Sequence, residues 1–154
     1  MKLSNYMLKK IIILIWSLWI LIVALSNVAD ALRNTGILPD HFKFVSGNFG
    51  YIQAATQIYN FPVWLNAVLF LLAIILEILM CVFFFKLFFK MEEGNDALVN
   101  PPFFFGVVLF GGFLIMDEFL IAYDRLGGIE QNHFTIFTAL IASYLLIKLL
   151  PGDK

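Results

Sequence analysis

The stretch Pro62–Phe85, PVWLNAVLFLLAIILEILMCVFFF, decides the fold. It is long and carries a single formal charge, Glu77. An α-helix rises 1.5 Å per residue, so about 20 apolar residues cross the ~30 Å hydrocarbon core of a bilayer. Three further stretches read the same way: about Leu8 to Asn27, about Pro101 to Tyr123, and about His133 to Leu150. Period-2 alternation is absent from all four, which argues against a membrane β-barrel. The reading is an all-α membrane protein, a four-transmembrane-helix bundle forming one domain over residues 1–154.

Composition points the same way. The chain is 62% hydrophobic and only 14% charged, against about 45–50% and about 25% in soluble domains. A water-soluble fold of this size could not hide so much apolar surface. The net charge of −1 and the lack of a Lys/Arg cluster argue against a nucleic-acid partner. The single cysteine, Cys81, excludes an intramolecular disulfide and a multi-cysteine metal site.

Helix punctuation marks the boundaries. Asn100 before Pro101-Pro102 reads as an N-cap with proline in the first turn, and Asn132 is expected to play the same capping role for span four. Gly127-Gly128 is expected to end span three, and Pro151-Gly152 to stop span four. Residues 1–26 also carry the marks of a secretory signal: Lys9-Lys10, the apolar run Ile11–Val23 and Ala24-Leu25-Ser26. They are read here as a retained span.

An even number of spans places both termini on one side. Lys2, Lys9, Lys10, Lys86, Lys90, Lys148 and Lys154 lie on that side, while Arg33, Lys43 and Arg125 lie on the other. Positive charge collects on the side that is not translocated, so both termini are expected in the cytoplasm of a bacterial cell, or on the matrix side of an organelle. The long outer connection, about Val28–Phe61, is rich in aromatic and small polar residues from Phe42 to Tyr59. It is expected to form a short interfacial helix or a pair of turns between spans one and two.

Polar groups within the spans need a reason, because each is costly to insert, by about 2.5–3.5 kcal/mol for an ionisable side chain. Asn66, Phe70, Ala73, Glu77 and Cys81 recur at helical spacing and define one stripe turned towards the other helices. Glu77 is the deepest of the ionisable groups. It reads either as a proton-exchanging carboxylate or ligand contact, or as a neutral glutamic acid that glues helices together. In span three, Gly111, Glu118, Ala122 and Arg125 share a face on which Gly111 admits a close neighbour, and Asp117 projects about 100° away. If span one continues as a helix, Asn27, Asp30 and Asn34 lie on one side of its outer end with Arg33 adjacent. These groups, with Asp117, Glu118, Arg125 and His133, are expected in one outer-leaflet layer. That layer reads as a salt-bridge network closing the bundle, or as an entry site for a ligand or proton.

His41 and His133 both fall on the outer side, and neither has a metal-ligand partner at i±3 or i±4, so no metal or other cofactor is expected. His133 is expected in the first turn of span four. Thr135, Ala139, Ala142 and Ser143 form a small-residue strip suited to close helix contact. Phe83–Phe85 and Phe103–Phe105 read as bulk facing lipid or a partner. No P-loop, GxGxxG, nucleophile elbow, HExxH or CxxC is present.

The segment Ser26-Asn27-Val28-Ala29-Asp30-Ala31-Leu32-Arg33-Asn34, with its Asn-x-x-Asp-x-x-x-Asn pattern, resembles the close of span one in a bacterial family of small four-helix integral membrane proteins of unknown function. A glutamate in span two, here Glu77, and an acidic pair late in span three, here Asp117-Glu118, extend the resemblance along most of the chain. The stretch Thr35–Phe42 is longer than in that family. A more distant likeness is to the four-helix DoxX-type proteins, some of which accompany quinone-linked oxidoreductases. The resemblance implies the architecture and supplies no catalytic residue. Three functions follow as expectations. The leading one is a non-catalytic accessory or structural subunit of a larger membrane complex, respiratory or energy-transducing in kind, whose partners are the lipid bilayer and other membrane subunits. The others are a proton-coupled transporter using Glu77 and the Asp117/Glu118 layer, and a quinone-associated redox subunit built on Asp30, Arg33, Glu118 and His133.

Overall fold

A computed structural model describes residues 4–92, 97–121 and 126–151. It is an all-α bundle in which four helices are long and apolar enough to cross a membrane: α1 (Asn5–Asn34), α3 (Val63–Lys90), α4 (Asn100–Phe119) and α5 (Ile129–Leu149). A short helix, α2 (Asn48–Thr56), and a 3-10 turn at Gln57–Tyr59 occupy the connection between α1 and α3, where the sequence places an interfacial segment.

Helix α1 is longer than the span read from hydropathy. Ser4 caps its start, its Oγ accepting the Met7 N–H at 3.1 Å, and Thr35 closes it with an N–H to the Ala31 carbonyl. Thirty residues make a rod of about 45 Å, well beyond the ~30 Å core. The turn carrying Asp30, Arg33 and Asn34 is therefore helical, and Asn27, Asp30 and Asn34 share one side of it.

Two boundaries differ from the expected ones. Helix α4 ends at Phe119, where Leu120 donates to the Met116 carbonyl and Ile121 turns left-handed (φ 50°). The sequence places its end near Tyr123, which lies outside the described residues. Gly127-Gly128 belongs instead to the start of α5: Gly128, at φ 85°, is its N-cap. Glycine adopts that conformation without a Cβ clash, so the helix starts before Asn132. Asn132 then sits inside it, donating its N–H to the Gly128 carbonyl, and His133 falls in the second turn. Asn100 likewise is the first residue of α4 rather than its cap, and its Oδ1 accepts the Tyr144 hydroxyl of α5 at 3.2 Å. Pro101 and Pro102 do lie in the first turn, where a missing N–H has no intrahelical partner to lose.

The helices pack in chain order, α1 on α3, α3 on α4, α4 on α5, and the bundle closes through Trp16. The Trp16 ring stacks on Phe84 of α3 (centroids 6.1 Å apart) while its Nε1 donates to Ser143 Oγ of α5 at 3.0 Å. Phe84 and Phe103 are buried against each other edge to face at 5.2 Å, so these two rings form core, whereas Phe104 does face outward. Bulky rings that fill the interior leave little room for small-residue seams. The close approach occurs at Gly106, where an added Cβ would stand 2.6 Å from Leu140 and 3.0 Å from Met80, and not at Gly111, where the nearest atom is an ordinary 3.5 Å away. For the same reason α5 meets α4 with Ile136, Phe137, Leu140, Tyr144 and Ile147, while Thr135, Ala139 and Ala142 are exposed. Only 11% of the most apolar window of α5 is buried, against 39% for α3, so α5 is the least embraced of the spans.

The end of the bundle that holds Asn5 and Pro151 is tied by Asn5 Nδ2 to the Pro151 carbonyl (3.2 Å) and by the Tyr6 hydroxyl to the Met91 carbonyl (2.9 Å). Lysines ring this end over aromatic faces: Lys10 over Tyr6 and Phe88, Lys86 over Phe83, Lys148 over Tyr144. Their stems lie along apolar surface with the ammonium groups at its edge.

Candidate functional site

The polar residues singled out by the sequence separate into two groups, one held by α1, α2 and α3 and one by α4 and α5.

In the first, Asn27 of α1 and Glu77 of α3 meet in the interior, 2% and 3% exposed. The Asn27 amide donates to both carboxyl oxygens, at 2.7 and 2.8 Å, and its Oδ1 accepts Nδ2 of Asn48 at 2.8 Å. Asn48 is the exposed first residue of α2. One turn further along α1, Asp30 is 1% exposed and accepts from four groups: the Phe49 N–H (2.9 Å), Asn34 Nδ2 (3.2 Å), Ser46 Oγ (3.3 Å) and Arg33 (3.4 Å). Gly47 supplies no side chain to cap α2, so the Asp30 carboxylate takes that place from a neighbouring helix, and negative charge at a helix N-terminus is favourable. Ser46 adds a backbone bond to the Ser26 carbonyl at 3.2 Å. Asn66 belongs to the same stripe of α3 as Glu77, but its Oδ1 accepts the Thr56 hydroxyl at the far end of α2 (2.8 Å). Both ends of α2 are thus anchored on transmembrane helices by buried polar side chains.

In the second group, Asp117 of α4 and His133 of α5 approach to 2.6 Å through Oδ2 and Nδ1, and the imidazole lies on the Phe113 ring at 4.8 Å between centroids. Asp117 is buried and His133 about a quarter exposed. Glu118, about 100° around the helix from Asp117, is exposed. Arg125 lies outside the described residues.

Among the described residues a single network closing this end of the bundle is therefore not what forms. Asn27, Asp30, Arg33, Asn34 and Glu77 come together, Asp117 and His133 come together, and Glu118 stands apart from both. Arg33 does pair with Asp30, but as an i, i+3 contact at the edge of the cluster. His41 is exposed in the α1–α2 connection. Among the described residues no three His, Cys, Asp or Glu side chains gather as a metal site would require, and every fully buried side-chain N or O atom has a partner. An open depression of about 480 Å³ beside the end of α2 and the start of α3 is lined by residues that include Gln53, Gln57, Asn60, Phe61 and Asn66, and by neither Glu77 nor Asp117.

Sequence reasoning did not find Ser46, Asn48, Phe49 or Thr56. A signal was present: Ser46-Gly47-Asn48 is a turn composition of the kind that opens a helix. What no local pattern contains is the trans-acting cap, since Asp30 is remote in sequence from the helix it completes.

No family model, curated protein or solved structure matches this chain.

Proposed function

We propose that this chain is a non-catalytic accessory subunit of a larger membrane complex, with both termini on the cytoplasmic or matrix side as the lysine distribution favours. The observation that carries the reading is how the intramembrane polar groups are used. Glu77 is bonded to Asn27, and Asn27, Asp30 and Asn66 are each bonded to the α2 segment; none of Glu77, Asn27 and Asp30 lines the open depression, and Asn66 at its edge is taken by Thr56. Such bonds fix the position of one helix on another in a medium where the hydrophobic effect does not drive helices together.

The weak embrace of α5 supports a partner as well. That helix is held along one face only, and its outward face carries Thr135, Ala139 and Ala142, small residues at a spacing that lets another helix come close. The resemblance to small four-helix bacterial membrane proteins belongs to the same proposal. Extraction of the chain from its native membrane in a mild detergent, followed by size measurement and identification of the co-purifying chains, tests it. The expected result is a discrete complex in which crosslinks from α5 reach a second membrane protein. A monodisperse monomer, with α5 crosslinking only to α4 and α1, overturns it.

A further inference from the structure

The polar line from Asn48 through Asn27 to Glu77 has a property that goes beyond holding helices together. A carboxylate only accepts hydrogen bonds, so it takes the NH2 side of Asn27; the Asn27 carbonyl then faces Asn48 and takes the NH2 of that amide. This is the arrangement seen, with distances of 2.7 to 2.8 Å throughout. A protonated carboxyl has an O–H to donate instead. It is satisfied when the Asn27 amide turns by half a rotation: Oδ1 accepts the Glu77 proton, the NH2 faces Asn48, and Asn48 turns in step to accept with Oδ1. The contacts of the line persist in both states and their donor sense reverses. Both amides can serve either state because each carries a donor and an acceptor edge, which two alanines or two hydroxyl-free apolar residues could not do.

We propose that Glu77 is a proton-binding site whose occupancy is reported at the outer face, the proton setting the orientation of the Asn27 amide and Asn27 setting that of Asn48 at the start of α2. The ligand is a solvent proton, bound to and released from one carboxyl oxygen. The amides do not carry it, and exchange requires Asn27 to swing aside. Asp30 makes the readout local. It holds the Phe49 N–H, the very next residue, so α2 stays docked while the polar edge that Asn48 presents to the outside changes.

Among the described residues the ionisable groups on the surrounding elements are few. Asp30 and Arg33 on α1 are bonded to each other, Asp117 on α4 is taken by His133 on α5, Glu118 and Tyr51 are exposed, and Cys81 lies one turn deeper on α3. Among the described residues no charged side chain bonds to the Glu77 carboxyl; its side-chain partner is the neutral Asn27.

The test uses the full chain in lipid nanodiscs, carrying Cys81→Ala and an environment-sensitive dye on Tyr51→Cys, an exposed position on α2. Infrared spectra across a pH series follow the protonated-carboxyl band, assigned to Glu77 by its loss in Glu77→Gln. The expected result is a dye response that tracks this band and vanishes in Glu77→Gln. The variant Asn48→Ala, at an exposed site that threatens the fold least, should keep the band and lose the dye response. A dye response that survives Glu77→Gln or Asn48→Ala overturns the proposal, since it then comes from loop groups such as Asp40 and His41. A carboxyl band that does not change with pH, or one that changes while the dye does not, overturns it equally.

Discussion

The corner built by α1, α2 and α3 and the corner built by α4 and α5 solve one problem in different ways. Each must fix where two membrane helices cross without help from water. At the first corner, a buried carboxylate and a buried amide take up the N-terminal turn of α2 and bind it to α1 and α3, with Asp30 alone accepting from four groups. At the second, one Asp–His contact joins α4 and α5, and about three turns away along α4 the same two helices cross on an apolar seam in which Leu140 and Met80 crowd Gly106. Polar fixing needs partners at matched positions on three elements and so defines one register. Apolar fixing needs only a small residue opposite a large one. The first corner should therefore fail when one atom's bonding is changed, and the second when volume is changed.

Replacing Asp30 is the sharpest way to break this contrast. Asp30→Leu leaves the Phe49 N–H and the Ser46 hydroxyl without their acceptor, while Asn34 keeps its bond to the carbonyl of residue 30, and buried groups left unpaired cost about 1–3 kcal/mol each. Allowing for relaxation of the partly exposed members, the expected loss is about 3 kcal/mol in reversible unfolding in mixed micelles, with the 35–61 connection becoming open to protease. Loss of stability without new cleavage there would mean that Asp30 braces α1 alone and does not cap α2.

Much of this contrast was legible in the sequence, and the limits are physical. The stripe Asn66–Phe70–Ala73–Glu77–Cys81 reads as inward-facing from spacing alone, and it is, because a helix shows the same face every three to four residues. Asn27, Asp30 and Asn34 read as one side of α1 for the same reason. The pairing of these groups was not legible. Glu77 could have met any helix, and which one it meets depends on the order of packing, to which a single sequence is silent. The strip Thr135, Ala139, Ala142 and Ser143 does not make the contact of α5 within this chain: the larger Phe137 and Leu140 make it, and Ser143 alone reaches inward to Trp16.

Along the α4–α5 crossing the largest effect belongs to Gly106. A side chain there meets Leu140 at 2.6 Å and Met80 at 3.0 Å, both through the flexible ends of side chains that can shift in part. Overpacking of this kind costs about 1–3 kcal/mol. Gly106→Val is expected to lower stability by about 2 kcal/mol, and Gly111→Ala, where the nearest atom is 3.5 Å away, by a few tenths at most. Equal effects at the two glycines would show that α4 and α5 are not held by a single tight crossing.

The smallest effect is expected from the contact that looks most like a functional pair. Asp117→Asn keeps the shape of the side chain and a hydrogen-bonding edge towards His133 Nδ1, so the two residues can still bond if the imidazole tautomer suits. What is lost is the charge-assisted part of the interaction, and with His133 about a quarter exposed that part is screened. A loss below about 1 kcal/mol follows, with protease protection of the 35–61 connection unchanged because no bond runs from this pair to α2. A loss as large as that of Asp30→Leu, measured in the same micelles, would place the weight of the α4–α5 corner on its polar pair and erase the difference between the two corners. An intermediate loss that disappears in Phe113→Leu would instead assign the effect to the ring on which His133 lies, leaving the contrast between polar and apolar fixing in place.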